Sequence, residues 1–325
     1  MLRGHLLMQN KPFKTVSEQI EILESRGITI NNLDCARMFL ITHNYCSIIN
    51  DYGRFFTKSA HVYITGTTLK DINFVYVFDK GIKTILFTHT LEFEKHLKST
   101  VAYYFCKTHS NCTDYLYFKS YKHKNKKEID YSLALINNIR EVIQYYSSPK
   151  VSPNEIKLYH EKYNEIPLWI VIQFMYLGDV IKLYHCSDDA IQNDISKTFS
   201  NFIQNYQNDK FITVNPGDFY KIMLSIKDIR NCIAHNNRIF NISASRSLPY
   251  MPKIHEPQGI MRNETKSDLY NILLIFQCLI SPEEYENMIL AFKNQIEDLK
   301  KCTGIIDYNT ITESLGFPKD WIDRL

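Results

Sequence analysis

Between residues 69 and 106 apolar side chains recur at spacings of three and four: Ile72, Val75 and Tyr76, then Ile82, Ile85 and Leu86, then Leu97 and Val101. Only a helix turns such positions to one side, because a strand alternates every second residue. No proline interrupts the stretch, and its one glycine, in Asp79-Lys80-Gly81, predicts a kink or a break between two helices. A helix this long must lay its apolar stripe on other helices. Ten Gly and ten Pro among 325 residues also leave few of the tight turns and bulges an all-β design needs. The expected class is therefore all-α.

The remaining segments read the same way. Thr15-Val16-Ser17-Glu18 is a capping box that opens a helix through Ile20 and Leu23, and Gly27 stops it. Further helices are expected over 33–41, 44–56, 129–146, 154–163, 168–177, 188–206, 216–235, 267–280 and 282–301, with a polar loop over 107–127. Thr68 is a candidate N-cap, and Ser281-Pro282 with Glu284 marks another helix start. The prolines at 149 and 153 bias their predecessors away from helix, which predicts an N-terminal helical lobe over 1–148 and a C-terminal lobe over 149–325. No repeat of 20 to 50 residues recurs, so a solenoid is not expected.

Charge is nearly balanced, with 38 Lys+Arg against 35 Asp+Glu, which excludes a polybasic or disordered chain. Eight scattered cysteines without a CxxC motif or a signal peptide read as free thiols in a reducing cytosol. The longest apolar runs, near 168–177 and 272–280, are about half the ~20 residues of a spanning helix, so no membrane partner is expected. The dinucleotide, P-loop, zincin and serine-hydrolase signatures are all missing.

The feature richest in chemistry is Arg230-Asn231-Cys232-Ile233-Ala234-His235-Asn236-Asn237-Arg238, at the end of a helix marked by Phe219, Ile222, Met223, Ile226 and Ile229. Continued as a helix, Asn231, His235 and Arg238 form one polar stripe with Arg230 at its edge. That stripe gathers an imidazole, an amide able to orient it and two guanidiniums suited to phosphate. The run also fits an ordinary helix C-terminus, with His235 and Arg238 meeting the dipole and Asn236 capping. Arg…His pairs at this spacing arise about once by chance in such a chain. Arg37…His43 and Arg54…His61 share it, but an apolar residue follows each arginine, and both read as structural.

This run resembles the signature of HEPN domains, helical nucleotide-binding bundles whose RNase members carry Arg, a polar residue, two to four more residues and His. Other stretches resemble Abi-like abortive-infection proteins of the AbiD/AbiF type. They are Lys11-Pro12-Phe13-Lys14 with the capping box after it, Asn44-Tyr45 with Ile48-Ile49-Asn50-Asp51-Tyr52, Val77-Phe78-Asp79, Ala102-Tyr103-Tyr104-Phe105 and Pro167-Leu168-Trp169. Cys46-Ser47-Ile48-Ile49-Asn50 stands where some members have Tyr-Arg-Leu-Ser-Gly after the Asn-Tyr, which favours the AbiD/AbiF side. The resemblance implies a HEPN-type bundle with an added N-terminal lobe, and a metal-independent endoribonuclease of a phage-defence or toxin-antitoxin system, in the cytoplasm and without a cofactor. It also implies control by a partner, such as a small structured RNA antitoxin.

Metal-free RNA cleavage uses the 2′-hydroxyl as nucleophile, and needs a base there, an acid at the leaving oxygen and positive charge on the phosphate. His235 fits the proton-transfer role, Arg230 the phosphate and Asn231 the orientation of the pair, with Asn236 and Arg238 as further RNA contacts. One chain offers one such histidine, so a homodimer with a composite site is expected. In the polar loop Tyr121 and Lys119, Lys122, Lys124, Lys126 and Lys127 could stack bases and hold phosphates, or could be a solvated loop of a Lys-rich chain. Cys106, His109 and Cys112 lack a fourth ligand, and no metal site is expected there. Two other readings stand beside the RNase: a catalytically silent HEPN module for RNA binding or dimerisation, and a nucleotide-modifying enzyme, for which no acidic metal-binding pair is seen.

Overall fold

The computed structural model describes residues 12–302 and 304–324. Among them the only sheet is the short hairpin of β1 (Thr57–Ser59) and β2 (Val62–Tyr63), and helices supply the rest of the regular structure. The all-α class expected from the periodicity is what the chain adopts.

The chain divides into two compact units, Met1–Gly81 with Asn294–Glu313, and Ile82–Lys293 with Ser314–Leu325. In the first, α1 (Val16–Ser25) starts at the capping box: Glu18 N–H donates to the Thr15 hydroxyl at 3.3 Å and Thr15 N–H to the Glu18 carboxylate at 2.7 Å. It stops at Gly27, whose φ of +96° is open to glycine without strain. Then α2 (Leu33–Thr42) packs its Ala36 and Leu40 inward. The helix expected over 44–56 is instead a π turn at Cys46–Asn50 and a 3-10 turn at Gly53–Phe56. Asn44 Oδ1 takes the N–H groups of Cys46 and Ser47, and a Cβ on Gly53 would lie 2.9 Å from the Tyr63 hydroxyl. Local capping and a close approach thus override the spacing.

Thr68 caps α3 (Leu69–Thr108) with Asp71, and the helix runs unbroken through Gly81. The expected interruption is not there. A Cβ on Gly81 would fall 2.0 Å from the Gln295 Oε1, so the glycine serves a close packing contact rather than a hinge.

In the second unit come α4 (Lys126–Ser147), α5 (Glu155–Tyr163), α6 (Leu168–Phe174), α7 (Leu177–Cys186), α8 (Asp189–Gln207) and α9 (Pro216–Ala234). They are followed by α10 (Pro252–His255), α11 (Leu269–Ile275) and α12 (Pro282–Cys302), of which the residues from Asn294 on belong to the first unit. The stretch with Pro149 and Pro153 joins α4 to α5 within this unit. The apolar run expected as one helix over 168–177 breaks at Met175 and Tyr176, both extended, and α7 follows. A continuous apolar sequence gives no period to show that break. Every residue of α11 is buried, Asn271 included, whose side-chain amide donates to the Asp268 carboxylate. Phe199 joins Phe93 and Phe219 in an aromatic core at centroid distances of 5.9 and 4.7 Å, and α9 packs between α7 and α8.

His255 is fully buried; its Nδ1 accepts the Met251 N–H at 2.9 Å while Nε2 finds no partner. Burial, with help from Lys266, holds this imidazole below its usual range. The unfolded chain takes up that proton near pH 6.5 and the folded chain only at lower pH, so stability should fall as pH drops below about 6.5. Urea unfolding at pH 7.5, 6.5 and 5.5 should show that decline, with a shallower slope in His255→Asn, which keeps an acceptor for Met251. An unchanged slope would mean that His255 does not contribute.

No described helix is long and apolar enough to cross a membrane, and Cys35, Cys46, Cys106, Cys112, Cys186, Cys232 and Cys278 are free.

Candidate functional site

Asn215 caps α9, its Oδ1 accepting the Asp218 N–H at 2.9 Å, and Pro216 takes the first helical position. Phe219, Ile222, Met223, Ile226, Ile229 and Ile233 are buried, which fixes the rotation of the helix and turns Asn231 and His235 outward one turn apart. The helix closes in a Schellman motif. Asn236 N–H donates to the Ile233 carbonyl at 2.8 Å and Asn237 N–H to the Cys232 carbonyl at 2.9 Å, with Asn236 left-handed at φ +56°. His235 is the C-cap residue, exposed, and its ring makes no hydrogen bond with the described residues.

This ending corrects the predicted stripe. Arg238 lies beyond the left-handed residue with extended backbone (φ −72°, ψ 143°), so helical geometry does not align it with Asn231 and His235. Arg230 stays on the helix. Its guanidinium lies over the Phe87 ring of α3 at 5.8 Å, its Nη1 approaches Asn231 Oδ1 at 3.4 Å, and its buried Nε has no hydrogen-bond partner. No carboxylate pairs with Arg230 among the described residues. Asn231 therefore touches the guanidinium rather than the imidazole.

Sequence reasoning missed Phe87 and its neighbour one turn back, Lys83. Lys83 is 7% exposed and donates to Asn236 Oδ1 at 2.8 Å. The signal was present: Lys83 is a charge beside Ile82 and Leu86, two buried positions of α3, though nothing in the sequence names its partner.

The basic loop lies elsewhere. Tyr121 is 1% exposed with its hydroxyl on the Tyr115 carbonyl, so it is a core residue and offers no face to a base. Lys122 is paired with Asp189 at 2.6 Å. Lys119, Lys124, Lys126 and Lys127 are exposed, with Lys119 over the Tyr117 ring and Lys127 over the Tyr131 ring. Lys122 N–H bonds the Cys186 carbonyl, and His185 beside it stacks on Tyr220 of α9 at 4.3 Å. Burial, reinforced by Lys122 and Lys127, holds the His185 imidazole below its usual range. Tyr220 and His235 are fifteen residues apart on α9 and its cap, roughly 22 Å of helix rise. The loop and the Arg/His motif of one chain are thus separate surfaces.

The other candidates resolve as structure. His43 stacks on Phe39 at 4.6 Å, and His61 occupies the β1–β2 turn at φ +62°. His109 bonds the Phe105 carbonyl through Nδ1 while the Cys112 thiol donates to Glu165, and Cys106, His109 and Cys112 do not converge. Among the described residues one group has metal-ligand spacing, Glu92, His96 and Glu284. There His96 Nε2 meets Glu284 at 2.9 Å, Glu92 pairs with Lys95, and Glu284 caps α12 through Ser281.

The fold and this site define an all-α protein whose core helix ends in an arginine without a carboxylate partner among the described residues and, five positions on at the cap, an exposed histidine. The model of the Abi-like protein family matches residues 38–241, more than half of the chain and ending just past the motif. The chain belongs to the Abi-like protein family. Comparison with curated proteins and with solved structures gives no significant match.

Proposed function

We propose that the chain is a metal-independent endoribonuclease, of the AbiD/AbiF type with a HEPN motif, acting in an abortive-infection or toxin-antitoxin system. The observation that carries this reading is that the last turn and cap of α9, inside the span matched by the family model, hold both a guanidinium without a carboxylate partner among the described residues and an exposed imidazole. Arg230 lies over Phe87, and its terminal guanidinium nitrogens, with no carboxylate on them among the described residues, contact the phosphate. His235 transfers the proton of the 2′-hydroxyl or of the leaving 5′-oxygen. Both transfers are needed for one cleavage, so two copies of the chain pair to supply two histidines. The exposed Lys119, Lys124, Lys126 and Lys127 hold more distant phosphates of the RNA, a cytoplasmic substrate, and a small structured RNA is the fitting antitoxin.

The test is incubation of RNA with purified protein, stripped of co-purified RNA, in EDTA. The expected products carry 2′,3′-cyclic phosphate or 3′-phosphate and 5′-hydroxyl ends. RNA retained but never cut would replace the enzyme with an RNA-binding module.

A further inference from the structure

A buried ammonium is costly unless its protons are met, so the position and partner of Lys83 carry information. It sits on α3 at 7% exposure and spans 153 residues of sequence to the side chain of Asn236. Glycine is the usual residue where a Schellman motif needs positive φ. Here asparagine takes φ +56°, and its Oδ1 receives the Lys83 proton at 2.8 Å. The backbone on one side of His235 is therefore the last turn of α9, and on the other a left-handed residue pinned to α3.

We infer that Lys83 is a positioning residue for His235, tying Asn236 to α3 so that the exposed imidazole is presented from a fixed backbone. This rests on the reading of His235 as the proton-transfer group. Phe87, one helical turn along, carries the Arg230 guanidinium at 5.8 Å, so a single face of α3 seats both halves of the motif. Lys83 acts through Asn236, because at its exposure the ammonium is turned to the protein and not to a bound phosphate.

Two substitutions break the contact differently. K83M keeps the length and packing of the stem without the charge, whereas N236G keeps the left-handed conformation without the acceptor. Each is expected to lower kcat about tenfold with KM unchanged, and adding N236G to K83M should cost nothing further, since K83M already removes the bond to Asn236. Amide hydrogen exchange at Asn236 and Asn237, the Schellman donors, should quicken at least about tenfold in K83M at unchanged Tm. Wild-type exchange and kcat in K83M would overturn the inference, and so would a raised KM with a shallower salt dependence, which marks a direct phosphate contact. If the wild-type chain cuts no RNA, the RNase reading fails separately. The inference is then judged on structure: faster exchange at both amides with a shifted His235 ring signal in K83M supports it, and identical spectra overturn it.

Discussion

His235→Ala should abolish RNA cleavage, with a loss of about 10³-fold in kcat, while RNA binding and thermal stability stay close to wild type. The magnitude follows from removing the group that moves a proton in the transition state, typically 10²–10⁴-fold. Stability should hold because the side chain is exposed and makes no hydrogen bond with the described residues, so alanine strands nothing. The helix stop is carried by backbone bonds from Asn236 and Asn237, which alanine at the C-cap leaves in place. Cleavage is read as end chemistry in EDTA, binding by filter retention of the same RNA, and folding by thermal unfolding. Undiminished cleavage by this variant would remove His235 from the mechanism, and a collapse of Tm would make it a structural residue.

What the sequence made legible were local devices. The Thr15/Glu18 box, the Gly27 stop, the Thr68 cap and the apolar stripe of α3 involve residues within one or two turns of each other; the first three form as read, and the stripe is buried except at Tyr76 and Ile85, which are half-buried. Gly81 was legible as an exception but not as to its kind, because Gln295, which approaches it, is distant in the chain. Tyr121 shows the same limit: an aromatic among lysines has one appearance in sequence whether its ring stacks a base or fills a core, and the carbonyl of Tyr115 decides for the core. At the site, Asn231 and His235 share a face because i and i+4 lie one turn apart on one helix and its cap, and Arg230 stands beside Asn231 in the chain, so their placement needs no tertiary knowledge. Arg238 falls on the stripe of Asn231 and His235 only if the helix continues past Asn236-Asn237, a pair whose first member readily takes the left-handed stop. Lys83 and Phe87 belong to the site through contacts that cross the chain, and no periodicity reports those.

Arg230 separates charge from shape. Arg230→Ala is expected to reduce kcat/KM by about 10²–10³-fold, comparable with loss of a donor that stabilises charge in the transition state. Arg230→Lys should recover little of it. The lysine keeps the charge but not the planar fork, so it cannot direct paired donors at a phosphate from over the Phe87 ring. Since no carboxylate pairs with Arg230 among the described residues, neither substitution leaves a buried anion behind, and the stability change should stay near the ~0.5–1 kcal/mol of a cation–π contact. Phe87→Leu then becomes the informative partner: it preserves bulk but removes the ring, so it should weaken catalysis in wild type and change nothing further in Arg230→Ala. Full activity in Arg230→Lys would reduce the arginine to a simple positive charge, and additive losses in the double variant would place Phe87 outside the support of the guanidinium.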